Sequence, residues 1–514
     1  MSSAMPVTPR EHRRVAIVVN ALLPGSRWRE PLRGMDPLEE LRRKLLALGT
    51  PDDLFAVVPE GEGAPVRDPS GKVLGGFRPI PVRARDTSVV FREIASALRS
   101  YEDALYVFAD APLLDTGIAR EMIDLHRDEI AEYTYGEGFP SGVSPEILKT
   151  PIFGRCASLA EKHGGTVDKG SVFAALSKEI NSFDIETLFA AENLSQRRIE
   201  LSTSSKRNRI LVERVISEKG ISCSYGEFCS LLREKPAVLR TVPSYAEVEV
   251  TNRTTAACIY SPLSFMKREA GDMPLDRYRV VVDALAELSE DITVSLSYLG
   301  EPLLHPGIRE IVERTLARPG VKLILETDGS LFSPPFSDFL AALKSENLFV
   351  IFDLDAVQDG TYTAVRGLRL RDAERNLRYA LEKGVKNVYA QFVRMDLNEG
   401  EMLPFYEQWE KEGAKVIIQK YNSFIGLLPD RAHYDLRPLD RMPCWHLLRD
   451  LVVFRDGRVP RCKQDLNGAF DFGNIVDDGA DRVWEKGLEH YLRHCGGRYD
   501  AECSACDEFF TYNL

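Results

Sequence analysis

The chain has 514 residues, of which 44% are hydrophobic and 28% charged, with a formal net charge of -12. That length suits about three domains with cores of their own. The acidic balance argues against general binding of nucleic acid or of an anionic membrane face. No apolar run approaches the roughly 18 residues that cross a bilayer, so no membrane anchor is expected. The opening MSSAMPVTPREHRR has no apolar stretch before VAIVVN, so no secretory signal is expected, and the expected location is the cytoplasm.

In chain order, residues 1–205 alternate strand-like and helix-like runs: VAIVVN, PLEELRRKLLAL, DLFAVVPE, ALYVFADAPLLD, GIAREMIDLHRDEI. This pattern predicts an α/β domain with a mainly parallel sheet. Residues 206–244 read as a helical connector (RNRILVERVISEK, YGEFCSLLREK). Over 245–440, six β-rich runs are separated by amphipathic helices: AEVEVTN, ITVSLSYLG, KLILETDG, LFVIFDLD, NVYAQFVRMD and KVIIQKYN. Six βα units predict a partial barrel with its working loops at the strand C-termini. Residues 441–514 form a small Cys-rich tail that needs a metal for stability.

Nine cysteines is an odd count, and they cluster toward the C-terminus, which favours metal ligation over a disulfide frame. The tail spacing is C-x12-G-x4-C, a long gap, then C-x2-C, giving Cys444, Cys462, Cys503 and Cys506 as ligands. LVVFRDGRV predicts a hairpin with Asp456-Gly457 at its turn, bringing Cys444 and Cys462 together. Four soft thiolates suit Zn²⁺ or an iron–sulfur cluster. The bland reading is four unrelated buried thiols. Cys495, Cys156, Cys223 and Cys229 read as packing or surface thiols.

The tail resembles the SPASM domain that follows many radical SAM barrels, through C-x12-G-x4-C, the FGNI after it, VW, and the closing C-x2-C. The chain stops eight residues after Cys506, without the further two cysteines of the full pattern, so the resemblance implies one auxiliary [4Fe-4S] cluster. The first barrel loop, TNRTTAACIYSPLSF, is similar to the radical SAM loop C-x3-C-x-(aromatic)-C. Thr254, Cys258 and Ser261 stand at its three ligand positions, with the aromatic Tyr260 kept. Hydroxyls stay protonated near neutral pH and are hard donors, so one thiol with two hydroxyls is not expected to hold a cluster or to cleave S-adenosylmethionine (SAM). YLGEPLLHP resembles the loop that receives the SAM amine, with Gly300, Glu301 and Pro302 in place. SAM binding there, and a Glu301 that only caps the following helix, are both open readings.

The N-terminal run VAIVVNALLPGSRWREPLRGMDPLEELRRKL resembles the opening of cytidylyltransferases, which share a glycosyltransferase-A-like nucleotide fold. Gly25, Ser26 and Arg27 match the triphosphate loop; the lysine expected after it is absent, with Arg33 the closest cation. YVFADAPLLD gives Asp110 as a Mg²⁺ ligand, because a carboxylate at a strand end is a sound partner when phosphates supply the rest. Ser141 stands where a substrate arginine is usual, and Lys206 where a second metal aspartate is expected. The three parts in this order resemble the spiro-SPASM family. The resemblance implies an α/β protein with a nucleotidyltransferase-like domain, a radical-SAM-like (β/α)6 barrel and a SPASM tail. The expected role is in a pathway that modifies a peptide or a sugar nucleotide, with no catalytic residue assigned. Two rivals stand beside it: a nucleotidyltransferase working at Asp110, and a non-catalytic peptide-binding module.

Overall fold

A computed structural model describes residues 14–23, 27–60, 75–162 and 164–511. The chain forms two compact units, Met1–Leu239 and Arg240–Leu514. Among the described residues no helix is long and apolar enough to cross a membrane.

The first unit is built on strands β1 (Val15–Asn20), β2 (Leu54–Pro59), β3 (Arg78–Val82), β4 (Asp103–Phe108), β5 (Tyr133–Glu137), β6 (Glu146–Lys149) and β7 (Ile185–Phe189). They lie in the order β3-β2-β1-β4-β6-β5-β7. β6 runs antiparallel to β4 and β5, and the remaining pairs are parallel. β1 is buried along its whole length. That burial is why VAIVVN is continuous rather than alternating, as in strands covered on both faces. Helices follow the strands from aspartate N-caps: Asp36 before Pro37–Leu45, Asp86 before Thr87–Ala97 and Asp115 before Thr116–Asp128. Each cap side chain accepts backbone N–H groups that the first helical turn leaves unpaired. The helices Lys206–Lys219 and Tyr225–Glu234, read as a connector, fall within this unit, where they bury Val212, Val215, Phe228 and Leu231.

The second unit carries β8 (Tyr245–Val248), β9 (Thr293–Ser295), β10 (Lys322–Thr327), β11 (Leu348–Asp353), β12 (Val388–Arg394) and β13 (Lys415–Lys420). All six expected runs form strands, parallel and in sequence order. Their side chains alternate between two faces, as the pleat requires. Ala246, Val248, Leu323, Leu325, Val350, Phe352, Ala390 and Phe392 pack in the main core with helix residues such as Tyr278, Val281, Ile311 and Leu377. The intervening residues Tyr245, Glu247, Ile324, Glu326, Ile351, Asp353 and Gln391 turn to the opposite face and line a cavity.

The tail departs from the expected hairpin. β14 (Asp450–Val453) pairs parallel with β8, Asp450 opposite Tyr245 and Val453 opposite Val248. β15 (Arg458–Pro460) pairs antiparallel with β16 (Asp471–Asn474) instead. The turn itself is present: Phe454 N–H donates to Arg458 O at 2.9 Å, and Gly457 has φ +88°, a conformation that favours glycine. The strands diverge because a partial barrel leaves the outer edge of β8 unpaired, and an unpaired edge takes a strand of suitable length.

Candidate functional site

The cavity on the concave face of the second unit has a volume of about 420 Å³. Its floor is apolar, made by Tyr245, Ile324 and Ile351 with Tyr389 and Ile417 beside them. Thr254, Cys258, Tyr260, Ser261, Gly300 and Glu301 all line it, so the loops after β8 and β9 meet there as the barrel reading expected. Gly300 permits that meeting, since a Cβ would run into the Thr251 carbonyl and lie 3.0 Å from the Arg253 carbonyl. Glu301 N–H then donates to Arg253 O at 2.8 Å.

Glu301 is 4% exposed, and internal donors occupy its carboxylate. Oε1 accepts from Leu303 N–H at 3.0 Å and from the Thr327 hydroxyl at 2.9 Å, while Oε2 accepts from Asp328 N–H at 2.9 Å. It caps the short helix Pro302–Leu304, and burial, reinforced by Asp328, pushes its carboxyl up to about 8. Of the two readings of Glu301, capping is the one its contacts satisfy.

Cys258 is the one thiol among the described residues that line the cavity. Burial pushes it up to about 11 against the opposing effect of Arg366, so at neutral pH it is a thiol rather than a thiolate. The hydroxyls at the flanking positions serve the backbone: Thr254 accepts from Ala256 N–H at 3.1 Å, and Ser261 caps Pro262–Phe265. Tyr260 is held by a buried ion pair that sequence reasoning did not find. Its hydroxyl donates to Asp355 Oδ2 at 2.7 Å, and Arg366 Nε donates to the same oxygen at 2.6 Å. Arg366 Nη2 also donates to the Tyr260 hydroxyl and lies 3.2 Å from Asp353 Oδ2. Val393 N–H donates to Asp355 Oδ1 at 2.7 Å. FDLD held both carboxylates, but nothing in the pattern pointed to Arg366, at the end of the helix Asp359–Arg366.

Also on the lining, Gln391 Nε2 bridges Glu326 Oε1 at 2.9 Å and Asp353 Oδ1 at 2.8 Å. Burial holds Asp353 well above the usual carboxylate range and raises its neighbour Glu326 as well. Burial also pushes Glu247 up to about 8, opposed by Lys463. Lys463 and Glu508, which join the lining from the tail, pair at 3.2 Å. Lys420 reaches Asp507 and Glu508, each at 2.7 Å. The lining therefore combines carboxyl groups raised by burial, Glu247, Glu326 and Asp353, with lysines already paired to Glu508 and Asp507.

Lys463 and Glu508 each follow closely on a tail cysteine. Cys444 is the N-cap of Trp445–Arg449, and Cys462 follows β15. Cys503 lies in the helix Ala501–Ala505, of which Cys506 is the C-cap. Arg441 donates to both carbonyls of the C-x2-C turn, Cys506 O at 2.9 Å and Cys503 O at 2.8 Å. Burial raises all four thiols, Cys506 to about 12, and Cys444, Cys503 and Cys506 each feel the charge of Cys462. Arg461 and Arg441 act on Cys503 in the opposite sense. Among the described residues no three His, Cys, Asp or Glu side chains stand close enough together to cage a metal ion. Four thiols are chemically suited to a soft cation, and the Arg441 guanidinium on the C-x2-C turn would offset the charge of thiolates there, but the structure does not gather the four around one centre.

In the first unit Asp110 lines a separate cavity of about 360 Å³ with Tyr106, Phe108, Tyr135, Ser141 and Phe173. Gly25 and Ser26 lie outside the described residues, and the backbone of Arg27 opens the short helical turn Arg27–Arg29. Asp110 Oδ2 lies 2.8 Å from Lys169 Nζ, which also lies 2.6 Å from Glu200 Oε1. Lys206, the cation expected here, is the first residue of its helix; Lys169 was passed over. With an ammonium already between them, these carboxylates do not fit a magnesium ion.

Residues 248–407 match the model of the Radical SAM superfamily. A Treponema pallidum protein described as uncharacterized is 34% identical over 359 residues, covering 67% of this chain and 98% of its own length. Streptococcus suis SuiB bound to the precursor peptide SuiA aligns with TM-score 0.44 and 13% identity over 71% of this chain and 88% of SuiB. A cytidylyltransferase from Leptospira borgpetersenii aligns with TM-score 0.37 and 14% identity over 44% of this chain and 97% of that one. The chain belongs to the family of the T. pallidum protein and carries a radical SAM superfamily domain over residues 248–407.

Proposed function

We propose that this is a degenerate radical SAM protein: its barrel binds a peptide ligand without a SAM-cleaving cluster, and its one [4Fe-4S] cluster sits in a SPASM-like tail at Cys444, Cys462, Cys503 and Cys506. The observation that carries this reading is the lone thiol of Cys258 in the cavity, flanked by the backbone-bound hydroxyls of Thr254 and Ser261. A [4Fe-4S] cluster open to SAM would supply the electron that cleaves it, and these residues do not fit that group. The chain's own groups bind and orient instead. Glu247 and the Glu326–Asp353 pair on the lining accept donors from an amine, while Arg366 and Lys463 are already held by Asp355 and Glu508. The nucleotidyltransferase reading at Asp110 is disfavoured by the ion pair with Lys169.

The test is anaerobic purification followed by iron and sulfide analysis and electron paramagnetic resonance, then incubation with SAM and dithionite. One cluster per chain and no 5′-deoxyadenosine are expected. Thr254→Cys with Ser261→Cys should add about one cluster's worth of iron, since thiolates are the natural ligands. Release of 5′-deoxyadenosine by the wild type, lost in Cys258→Ala, would overturn the reading.

A further inference from the structure

The ion triplet in the first unit has the geometry of a metal site filled by a side chain. Asp110, fully buried, follows the end of β4, and the side chains that meet its carboxylate are Lys169 and Ser204. The Lys169 ammonium lies at 2.8 Å and also meets Glu200 at 2.6 Å. Carboxylates from two distant segments converge on one cation, as they do around a divalent ion.

The ammonium is held there by its own surroundings. Asp168 Oδ1 accepts from Gly170 N–H and from the Ser171 hydroxyl, each at 2.9 Å, and Ser171 Oγ accepts from Asp168 N–H at 2.8 Å. This turn, backed by the helix Ser171–Leu176, fixes the backbone on both sides of Lys169. On the facing side the Ser202 hydroxyl donates to Glu200 Oε1 at 2.9 Å, and Asn208 Nδ2 donates to Ser202 Oγ at 3.3 Å. Both arms of the triplet are thus built before any ligand arrives.

We infer that Lys169 is the resident cation of a latent divalent-metal site, and that the first unit operates without a bound metal. Two carboxylates against one ammonium leave a single negative charge, which the ammonium shields from a second cation. A divalent ion would have to enter within a few ångströms of a fixed positive charge, where repulsion in a buried site is strong. The aromatic lining beside the triplet, Tyr106, Phe108, Tyr135 and Phe173, suits a flat uncharged ligand instead.

Full-length protein is titrated with Mn²⁺, and free Mn²⁺ is read by room-temperature electron paramagnetic resonance. Wild type should show no Asp110-dependent site. Lys169→Met and Lys169→Gln should each gain one, at least tenfold tighter than any wild-type binding, and Asp110→Asn should remove it from either background. Gln keeps a polar group of similar reach between the carboxylates, so it guards against loss of folding in the Met variant. Folding of each variant is checked by circular dichroism. A stoichiometric Mn²⁺ site in wild type that Asp110→Asn abolishes would overturn the inference. So would a folded Lys169→Gln or Lys169→Met that gains no Mn²⁺.

Discussion

Replacing Arg366 by Met keeps the apolar stem and removes the charge from the centre of the cavity wall. The guanidinium side chain is 5% exposed and the Asp355 side chain 0% exposed, so water cannot take over the lost contacts. Asp355 would keep two donors, Val393 N–H and the Tyr260 hydroxyl, and lose the ion pair at 2.6 Å. Breaking a buried pair from one side costs about 3–5 kcal/mol. For a unit of this size that is on the order of 10 °C in melting temperature. Urea unfolding followed by tryptophan fluorescence reads this unit, since Trp409, Trp445 and Trp484 all lie within it. A loss below about 1 kcal/mol would refute the reasoning.

Glu301→Gln should flatten the pH dependence of the same unit. With its carboxyl at about 8, wild-type stability falls as pH climbs from about 5 to 8, and a neutral amide removes that slope; Glu247, also near 8, keeps part of it. Cys503→Ser should strip about one cluster's iron and make residues 441–514 susceptible to limited proteolysis, because metal binding at a thiolate site contributes folding energy. Retention of full iron with an intact tail would count against the proposed ligand set. Trp484→Ala should cost about 3–5 kcal/mol in urea denaturation, the usual range for emptying a buried aromatic site. Its ring is 4% exposed, its Nε1 donates to Thr241 O at 2.8 Å, and the Arg240 guanidinium lies 3.6 Å from the ring centre.

The six β-rich runs of the second unit were legible in the sequence because strand formation is local. Each run alternates, or stays apolar, over a few residues, and that determines which face meets the helices. In the folded unit the same alternation puts Glu247, Glu326, Asp353 and Gln391 on the cavity face, although nothing in the sequence had singled them out. The Asp456-Gly457 turn was legible for the same reason, since a positive φ is a local demand on one residue. Which strand β14 would pair with was not legible. Backbone groups on an edge carry no address, and the free edge of β8 competes with the nearer β15 for the same hydrogen bonds. The charged contacts lay further out of reach. Lys169 and Asp110 belong to different segments, as do Arg366 and Tyr260, 106 residues apart. An ion pair needs only that two side chains end within about 4 Å, a condition with no period or spacing along the chain. Sequence could therefore name Asp110, Tyr260 and Glu301 as residues with chemistry to offer. Only the folded chain decided that Asp110 faces a lysine, that Tyr260 is tied to a buried arginine, and that the Glu301 carboxylate is engaged by three internal donors.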